Sequence, residues 1–400
     1  MKQEFKILTL NNVAFQGQGQ FPAERYKVAS EVKNPDAVLL RSQDIHEMKI
    51  SKSLLAVARA GAGVNNVPVE KLTTLGIPVF NAPGANANAV KELVLAALFL
   101  AARNVIQAWD YVRDLDVVAH EGSEKELAKG IESGKKRFVG FELPGKTLGV
   151  VGLGAIGVEV ANAALELGMN VIGYDPKITV DRAWQLSAGV EQASNMDEVF
   201  SRANIVTVHV PLNDDTRGMV GQSQLSIMPK GAVALNFARH GIYENEAVLR
   251  SLAEGFLSGY VTDFPTQDLM GKAGVICLPH LGASTLEAEE NCAAMVTNNL
   301  QDFLENGNVR HSVNFPDALL KRTRPHRIVI ANTNVPNMVG QVSTCLAQED
   351  INIADLLNVS RGAVAHTIVD LDGPVSNETL KRIRSINGIL CVRVLPIFES

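Results

Sequence analysis

A glycine-rich turn near the middle of the chain constrains the fold more than any other feature. Residues 147–157 read TLGVVGLGAIG, which places Gly-X-Gly-X-X-Gly directly after a predicted strand and at the start of a predicted helix. In this arrangement Gly152 permits a tight turn, Gly154 lets the main chain approach a pyrophosphate, and Gly157 allows close helix–strand packing. The phosphates would bind free N–H groups at the helix N-terminus. The motif therefore predicts a dinucleotide-binding α/β unit.

The next predicted strand supports this prediction, because an acidic residue follows it. Asp175 comes 21 residues after Gly154, the separation expected for a carboxylate that binds a ribose 2′-hydroxyl. The same carboxylate would repel a 2′-phosphate, so the sequence favours NAD over NADP as cofactor. The alternative is that Asp175 is only a turn residue before Pro176.

Short apolar runs alternate with helical patterns over most of the chain, which is typical of parallel sheets. Four early runs predict a first sheet, and six later runs predict an open six-stranded doubly wound sheet. These runs are residues 5–10, 37–40, 56–59 and 79–80, then 147–152, 170–174, 205–210, 232–236, 260–263 and 275–278. Long helical patterns cover 88–112 and 284 to about 306.

The last seventy-odd residues predict strand, helix, strand, strand, helix and strand, the order of a small ferredoxin-like module. We therefore predict an α/β fold with two doubly wound parallel-sheet (Rossmann-like) domains and a C-terminal ferredoxin-like βαββαβ module. The predicted bounds are 1–100 and 284–314 for a substrate-binding domain, 101–283 for an NAD-binding domain, 315–326 for a linker and 327–400 for the module.

Composition excludes several other classes of protein. The formal net charge is −6, whereas nucleic-acid binding requires a clustered basic excess. The four cysteines stand far apart, with no pair or histidine at metal-ligand spacing. No apolar stretch approaches the roughly 20 residues of a membrane span, and the N-terminus lacks a signal-peptide pattern. We expect a cytoplasmic protein without a metal, a disulfide framework, a nucleic-acid partner or a membrane partner.

Three polar segments follow predicted strands of the second sheet, namely residues 209–212 (HVPL), 236–239 (NFAR) and 278–282 (LPHLG). Ligands of such sheets bind at the carboxyl ends of the strands. Arg239 is suited to hold a carboxylate through two parallel hydrogen bonds, and His280 can transfer a proton near neutral pH. Taken singly, Arg239 could cap a helix and His280 could be structural, but their shared position favours an active site.

These segments, in their order, resemble the D-isomer-specific 2-hydroxyacid dehydrogenases. The resemblance extends to RAGAGVNNV at 59–67 and GIPVFNAPGAN at 76–86, and the C-terminal module resembles an ACT domain. It implies hydride transfer between C2 of a small-molecule substrate and NAD. It also implies 3-phosphoglycerate and 3-phosphohydroxypyruvate as substrates, in the first step of L-serine biosynthesis.

The resemblance implies that His280 is the acid/base and that Arg239 holds the substrate carboxylate. In the family a glutamate pairs with this histidine, but none occupies the expected place here. An alignment without a gap puts Asp268 in that role, and a one-residue gap puts Gln267 there. We predict Asp268.

The other site residues implied by the resemblance form a cofactor set and a substrate set. The cofactor set is Gly152, Gly154, Ala155, Ile156, Gly157, Asp175, His209, Val210, Pro211, Thr216, Phe237, Ala238, Asp263 and Gly282. The substrate set is Arg41, Ser42, Ala62, Gly63, Asn86, Arg239 and His280. Substrate is therefore expected in a cleft between two domains, with the two long helices as the hinge. Two departures from the family pattern are His240 and Lys91, whose roles stay open.

ACT modules usually pair side by side and bind an amino acid, which implies a homodimer or homotetramer. Asn332, Asn334 and Asn352 match the serine contacts of the family, although a histidine is common at position 332. We hypothesise feedback inhibition by L-serine; the alternative is a module that only mediates oligomerisation.

Two other functions stay open. One is a reductase for glyoxylate, hydroxypyruvate or another 2-oxo acid. The other is an NAD(H)-sensing interaction protein without turnover, which the missing glutamate supports and the presence of Arg239 and His280 opposes.

Overall fold

The computed structural model describes residues 4–10, 21–119 and 124–397. The chain divides into two compact units, one containing the residues up to Asn86 and from Leu286 onward, the other containing Ala87–Thr285. Among the described helices, none combines the length and apolar character needed to span a bilayer. No group of His, Cys, Asp and Glu side chains in the described ranges could hold a metal ion.

The regular elements of the described residues alternate along most of the chain. The strands are β1 (Phe5–Leu10), β2 (Tyr26–Ala29), β3 (Ala37–Leu40), β4 (Ala56–Arg59), β5 (Val79–Phe80), β6 (Thr147–Val151), β7 (Asn170–Tyr174), β8 (Val190–Gln192), β9 (Ile205–Val208), β10 (Ala232–Asn236), β11 (Leu257–Thr262), β12 (Val275–Cys277), β13 (His326–Thr333), β14 (Ile353–Arg361), β15 (Val364–Leu371) and β16 (Ile389–Val394). The α-helices are α1 (Val69–Thr74), α2 (Ala87–Arg103), α3 (Val105–Ala119), α4 (Glu124–Gly134), α5 (Ala155–Glu166), α6 (Val180–Gln185), α7 (Met196–Arg202), α8 (Gln222–Ser226), α9 (Asn245–Ala253), α10 (Leu286–Asn306), α11 (Met338–Ala347) and α12 (Asn377–Ser385), and a 3₁₀ helix spans Lys135–Phe138.

The first sheet is parallel and has the order β2-β1-β3-β4-β5 in the described residues. β3 (AVLL) is buried along its whole length and β4 (AVAR) nearly so, as expected for parallel strands covered on both faces. The apolar pattern did not predict β2, a four-residue strand at the sheet edge with two exposed residues. A strand this short and polar has too few apolar residues to show a hydrophobic pattern in the sequence.

The second sheet is also parallel, with the order β12-β11-β10-β9-β6-β7-β8. β6 lies between β7 and β9, so the strand order reverses beside it and a binding crevice is expected at its carboxyl end. The predicted doubly wound sheet is confirmed, but it has one strand more than the six predicted. The additional strand, β8, is a three-residue edge strand with two exposed positions.

The single helix predicted over 88–112 is wrong. The structure has two helices there, α2 and α3, separated by Asn104. Asn104 has φ 50°, a left-handed conformation that asparagine tolerates better than most residues. Its side-chain amide donates to the carbonyl of Val139 at 3.4 Å. The apolar spacing continues past Asn104, so the pattern could not show the break.

The C-terminal strands form an antiparallel sheet with the order β14-β15-β13-β16. One face packs against helices α11 and α12 through side chains such as Ile330, Leu346 and Ile383. The other face carries Val329 and Ile368, which pack with Ala318 and Leu395. The predicted βαββαβ module, and with it the predicted fold class, is confirmed.

β13 begins beside a fully buried ion pair between Arg327 and Asp370. Nη2 of Arg327 donates to Oδ2 of Asp370 at 2.8 Å. Nη1 of Arg327 donates to the carbonyls of Asn306 and Leu320, each at 2.9 Å. One side chain thus joins the end of α10 and the segment after it to the antiparallel sheet. Burial raises the pKa of Asp370, but hydrogen bonds from Arg327 and Thr323 outweigh it, so the pKa is below its ordinary value.

Arg327→Met should lower the free energy of unfolding by about 3–5 kcal/mol, because it leaves the Asp370 carboxylate buried without its cation. The measurement is the midpoint of urea unfolding. The matched control is Arg324→Met, which removes an exposed pair with Asp372 and should leave the midpoint almost unchanged. Equal shifts for the two variants would contradict the assigned role of Arg327.

The same pair has a defined pH dependence. Because the folded-state pKa of Asp370 is lowered, its stabilisation is present above the unfolded-state pKa of about 3.9 and is lost as the pH falls through the folded-state value. The destabilisation caused by Asp370→Asn should therefore be largest above pH ~5 and shrink below pH ~4.

Candidate active site

The glycine turn after β6 is shaped by two close approaches of the main chain. Gly152 has φ 91°, and a Cβ on it would lie 2.6 Å from the carbonyl oxygen of His209. A Cβ on Gly157 would lie 1.9 Å from the carbonyl oxygen of Gly152. Gly154 differs, because no described atom would lie within 4 Å of a Cβ there. The turn therefore leaves open space at Gly154, beside the first turn of α5.

Asp175 accepts hydrogen bonds from two main-chain donors, one of which lies in this turn. Its Oδ2 accepts from the N–H of Leu153 at 2.9 Å, and its Oδ1 accepts from the N–H of Lys177 at 2.8 Å. Each carboxylate oxygen can accept a further hydrogen bond. The carboxylate is therefore placed to accept hydrogen bonds from a ribose diol beside Gly154.

His209 follows β9 as a half-buried, neutral imidazole. Its Nε2 lies 3.0 Å from Oγ1 of Thr207, and burial lowers the pKa of His209 to about 4. Nδ1 is buried and has no hydrogen-bond partner within the described residues. In the loop after it, Oγ1 of Thr216 donates to the carbonyl of Pro211 at 2.6 Å, which braces the segment that contains Val210 and Pro211.

Arg239 is presented by a turn that the side chain of Asn236 organises. Oδ1 of Asn236 accepts from the N–H of Ala238 at 3.2 Å, and Nδ2 donates to the carbonyl of Arg239 at 3.1 Å. Nη1 of Arg239 donates to the carbonyl of Ala238 at 2.6 Å. Phe237 and Ala238 are buried, whereas Arg239 is exposed. In the part of the chain that the structure describes, most N–H groups of this guanidinium are thus left for an anionic ligand.

Asp263, Arg239 and His280 come together at the carboxyl ends of β10, β11 and β12. Asp263 is 1% exposed. Its Oδ2 accepts from the N–H of Gly282 at 3.2 Å, and its Oδ1 is buried without a partner among the described residues. Burial raises the pKa of Asp263, and the positive charges of His280 and Arg239 oppose that shift. The His280 ring packs on Phe264 with 4.7 Å between ring centroids.

Asp268 has other hydrogen-bond partners. Its Oδ2 accepts from Nδ2 of Asn245 at 3.0 Å. Hydrogen bonds from Thr266 and Asn245 lower the pKa of Asp268, and the charge of His240 lowers it further. Among the described contacts, Asp268 forms no hydrogen bond with His280. Gln267 is exposed.

The substrate set of the first unit lies at the carboxyl ends of β3 and β4. Nη1 of Arg41 lies 2.5 Å from Oε1 of Glu289 on α10, a partner that the sequence analysis missed. Ser42 is exposed. The carbonyl of Ala62, next to Gly63, accepts from Nδ2 of Asn81 at 2.7 Å.

Two other positions complete this description. Oδ1 of Asn86 is buried without a partner in the described part of the chain. Lys91, whose role the sequence left open, donates from Nζ to Oδ1 of Asn88 at 2.5 Å, within α2.

The predicted serine contacts occupy different environments. Nδ2 of Asn334 donates to the carbonyl of Gly362 at 3.1 Å, and Nδ2 of Asn352 donates to Oδ2 of Asp372 at 2.7 Å. Both asparagines are exposed, whereas Asn332 is 1% exposed within the sheet.

The sheet order and these strand ends define a dinucleotide-binding α/β protein. Residues 95–282 match the profile of the D-isomer specific 2-hydroxyacid dehydrogenase, NAD binding domain. Residues 95–282 therefore belong to the NAD-binding domain of the D-isomer-specific 2-hydroxyacid dehydrogenase family, and the predicted cofactor, NAD, is confirmed by this domain. The residues present fit that cofactor: Gly154 leaves space, Asp175 offers a carboxylate, and Asp263 has an unpartnered buried oxygen.

Several known proteins are similar to this chain. A D-3-phosphoglycerate dehydrogenase of Methanocaldococcus jannaschii is 34% identical over 345 residues, which cover 83% of this chain and 61% of the relative. One from Escherichia coli is 29% identical over 86% of this chain and 82% of its own length. The crystal structure of a cofactor (NAD+)-bound 3-phosphoglycerate dehydrogenase from Entamoeba histolytica superposes with a TM-score of 0.59 and 26% identity, covering 78% of this chain and 99% of that one. The chain thus spans about three fifths of the archaeal relative.

Gly157→Ala and Gly154→Ala should separate packing from cofactor binding. Alanine is the better helix former, yet at 157 its Cβ would collide with the Gly152 carbonyl. We expect Gly157→Ala to lower the melting temperature and to weaken NADH binding by about tenfold or more. Gly154→Ala should keep the wild-type melting temperature and weaken only NADH binding, because its Cβ projects into the open space. Thermal unfolding and NADH fluorescence titration measure the two effects, and an unchanged melting temperature for Gly157→Ala would contradict this account.

Proposed function

We propose that this protein is an NAD-dependent D-3-phosphoglycerate dehydrogenase, which converts 3-phosphoglycerate into 3-phosphohydroxypyruvate in the first step of L-serine biosynthesis. The observation that carries the proposal is the meeting of Arg239, Asp263 and His280 at the carboxyl edge of the NAD-binding sheet. The similarity to D-3-phosphoglycerate dehydrogenases of two organisms supports the choice of substrate.

Oxidation at C2 of the substrate removes a hydride from carbon and a proton from the hydroxyl group. Bound NAD+ would supply the hydride acceptor. The imidazole of His280 takes the hydroxyl proton, and in the reverse direction it returns this proton to the carbonyl oxygen. Arg239 binds the carboxylate through two parallel hydrogen bonds and keeps C2 in position.

The phosphate group of the substrate would be bound by residues of the first unit. Arg41 and Ser42, the main chain of Ala62 and Gly63, and the side chain of Asn86 are the residues assigned to it. Arg41 pairs with Glu289 in this structure. A phosphate carries more negative charge than one carboxylate, so it would compete with Glu289 for the Arg41 guanidinium.

We further propose that L-serine acts as an effector at the C-terminal module, in a homodimer or homotetramer. The exposed side chains of Asn334 and Asn352 support this assignment. The cytosol is the proposed location, which the four unpaired cysteines of the chain support.

A substrate panel tests the activity. The rate of NADH oxidation, read from its absorbance, should give a kcat/KM at least ~100-fold higher with 3-phosphohydroxypyruvate than with hydroxypyruvate or glyoxylate, since those lack the phosphate. His280→Asn should lower kcat by ~100-fold or more, whereas the control His326→Asn should not change it. Millimolar L-serine should inhibit the wild-type reaction.

The alternatives predict other results for the same panel. A higher kcat/KM with hydroxypyruvate or glyoxylate would show that the protein is a reductase for these unphosphorylated 2-oxo acids. NADH binding without turnover of any substrate would indicate a sensing protein. Reaction rates that do not change in the presence of L-serine would rule out L-serine as an effector.

A pair of variants identifies the carboxylate that acts on His280. The sequence predicts Asp268, but its contacts with Asn245 and Thr266 favour Asp263 for this role. A carboxylate beside the imidazole orients the ring for proton transfer. Asp263→Asn should therefore lower kcat for NADH oxidation by about tenfold or more, measured at saturating NADH. Asp268→Asn should leave kcat unchanged; the reverse pattern would assign the role to Asp268.

A further inference from the structure

A cavity of about 440 Å³ lies within the first unit, away from the strand ends described above. On one side it is lined by Phe5 at the start of β1 and by Leu55 just before β4. On the other side it is lined by β16 and the residues that follow that strand. The amino ends of β1 and β4 are opposite to the carboxyl ends that carry Arg41 and the 59–63 turn. This cavity is therefore distinct from the substrate set of the first unit.

Two arginines of the C-terminal module line this cavity. The guanidinium carbon of Arg393 lies 4.2 Å from the ring centroid of Phe303, and its Nη2 donates to the Phe303 carbonyl at 2.8 Å. Nη2 of Arg384, an exposed residue of α12, lies 3.5 Å from the carbonyl of Val392. The hydrogen-bond acceptors found for both guanidinium groups are thus main-chain carbonyls. Within residues 4–10, 21–119 and 124–397, several N–H donors of each group have no acceptor.

The electrostatic balance of the cavity wall favours an anion. Among the described lining residues, Asp36 is the acidic one, and its Oδ2 accepts from the main-chain N–H of Lys6 at 2.8 Å. In the described part of the wall, two arginines therefore accompany one carboxylate. Burial lowers the pKa of Arg393 to about 10, against an ordinary value of 12.5. A partly desolvated cation of this kind gains more from an anionic ligand than an exposed one does.

The remaining wall of the cavity is mainly apolar. Leu304 on α10 and Leu395 after β16 join Phe5 and Leu55 around it. A volume of about 440 Å³ is within the range of small-molecule sites, which combine apolar walls with a few polar groups that orient the ligand. An inorganic anion would use the arginines but leave these walls in contact with water.

We propose that this cavity binds a small carboxylate with an apolar chain, whose carboxylate group contacts Arg384 and Arg393 and whose chain packs on Phe5, Leu55 and Leu304. Guanidinium groups bind carboxylates with two parallel hydrogen bonds. An apolar amino acid and a simple alkanoic or 2-oxo acid share this chemistry. They differ in the α-ammonium group, which only the amino acid carries.

Calorimetric titration of the intact 400-residue chain tests the proposal. The probes are L-leucine, 4-methyl-2-oxopentanoate and hexanoate, with acetate and inorganic phosphate as anions that lack the apolar chain. We expect at least one probe to bind one site per chain with a Kd below ~1 mM, and acetate and phosphate to bind at least ~10-fold more weakly. Tighter binding of L-leucine than of hexanoate would identify the amino acid as the preferred class; the reverse would identify the simple acid.

Three variants test whether the probes bind in this cavity. Arg384→Met should weaken probe binding by at least ~10-fold without loss of folding, because Arg384 is exposed. Lys381→Met is the matched control on the same helix and should bind as the wild type does. Arg239→Met removes the arginine that would hold a carboxylate in the candidate active site, and probe binding should survive it.

Three results would overturn the proposal. They are the absence of saturable binding of every probe up to ~10 mM, loss of binding in Arg239→Met with retention in Arg384→Met, and equal binding of phosphate and the apolar probes. Because the titration requires no turnover, its outcome is independent of the proposed enzyme activity.

Discussion

The strands of the second sheet all run in the same direction, and the candidate active site depends on this constraint. Parallel neighbours need a crossover connection, so each strand delivers its carboxyl end to the same edge. Gly152 and His280 are 128 residues apart in sequence, yet both follow strands that end at that edge. The helices and strands supply a rigid frame, and the turns after the strands are free to carry polar side chains.

At this edge the main chain itself forms much of the site. The close approach of Gly157 to the Gly152 carbonyl holds α5 against β6, and the N–H of Leu153 in the turn holds the Asp175 carboxylate. Beyond the turn, a buried acid, Asp263, is influenced by the charges of His280 and Arg239. Main-chain donors hold both carboxylates, Asp175 and Asp263, which is the arrangement expected of a site organised before its ligands bind.

The first unit is built around α10 and the C-terminal module. Near its start, α10 supplies Glu289 to Arg41; at its end, Asn306 accepts from Arg327, which is paired with Asp370 inside the module. Phe303 of the same helix holds Arg393 beside the arginine-lined cavity. One helix therefore contacts Arg41, which is proposed to bind the substrate phosphate, as well as the buried ion pair and the cavity wall.

The sequence alone determined the element order, the glycine turn and the strand-end positions of Asp175, Arg239 and His280, because apolar periodicity and turn chemistry are local properties. Tertiary structure decided what local pattern cannot encode: the break at Asn104, the short edge strands β2 and β8, and the choice of Asn245 as the partner of Asp268. It also decided the Arg41–Glu289 pair and the cavity at Arg384 and Arg393. Each of these depends on which distant side chains come within contact distance, and only the folded chain sets those distances.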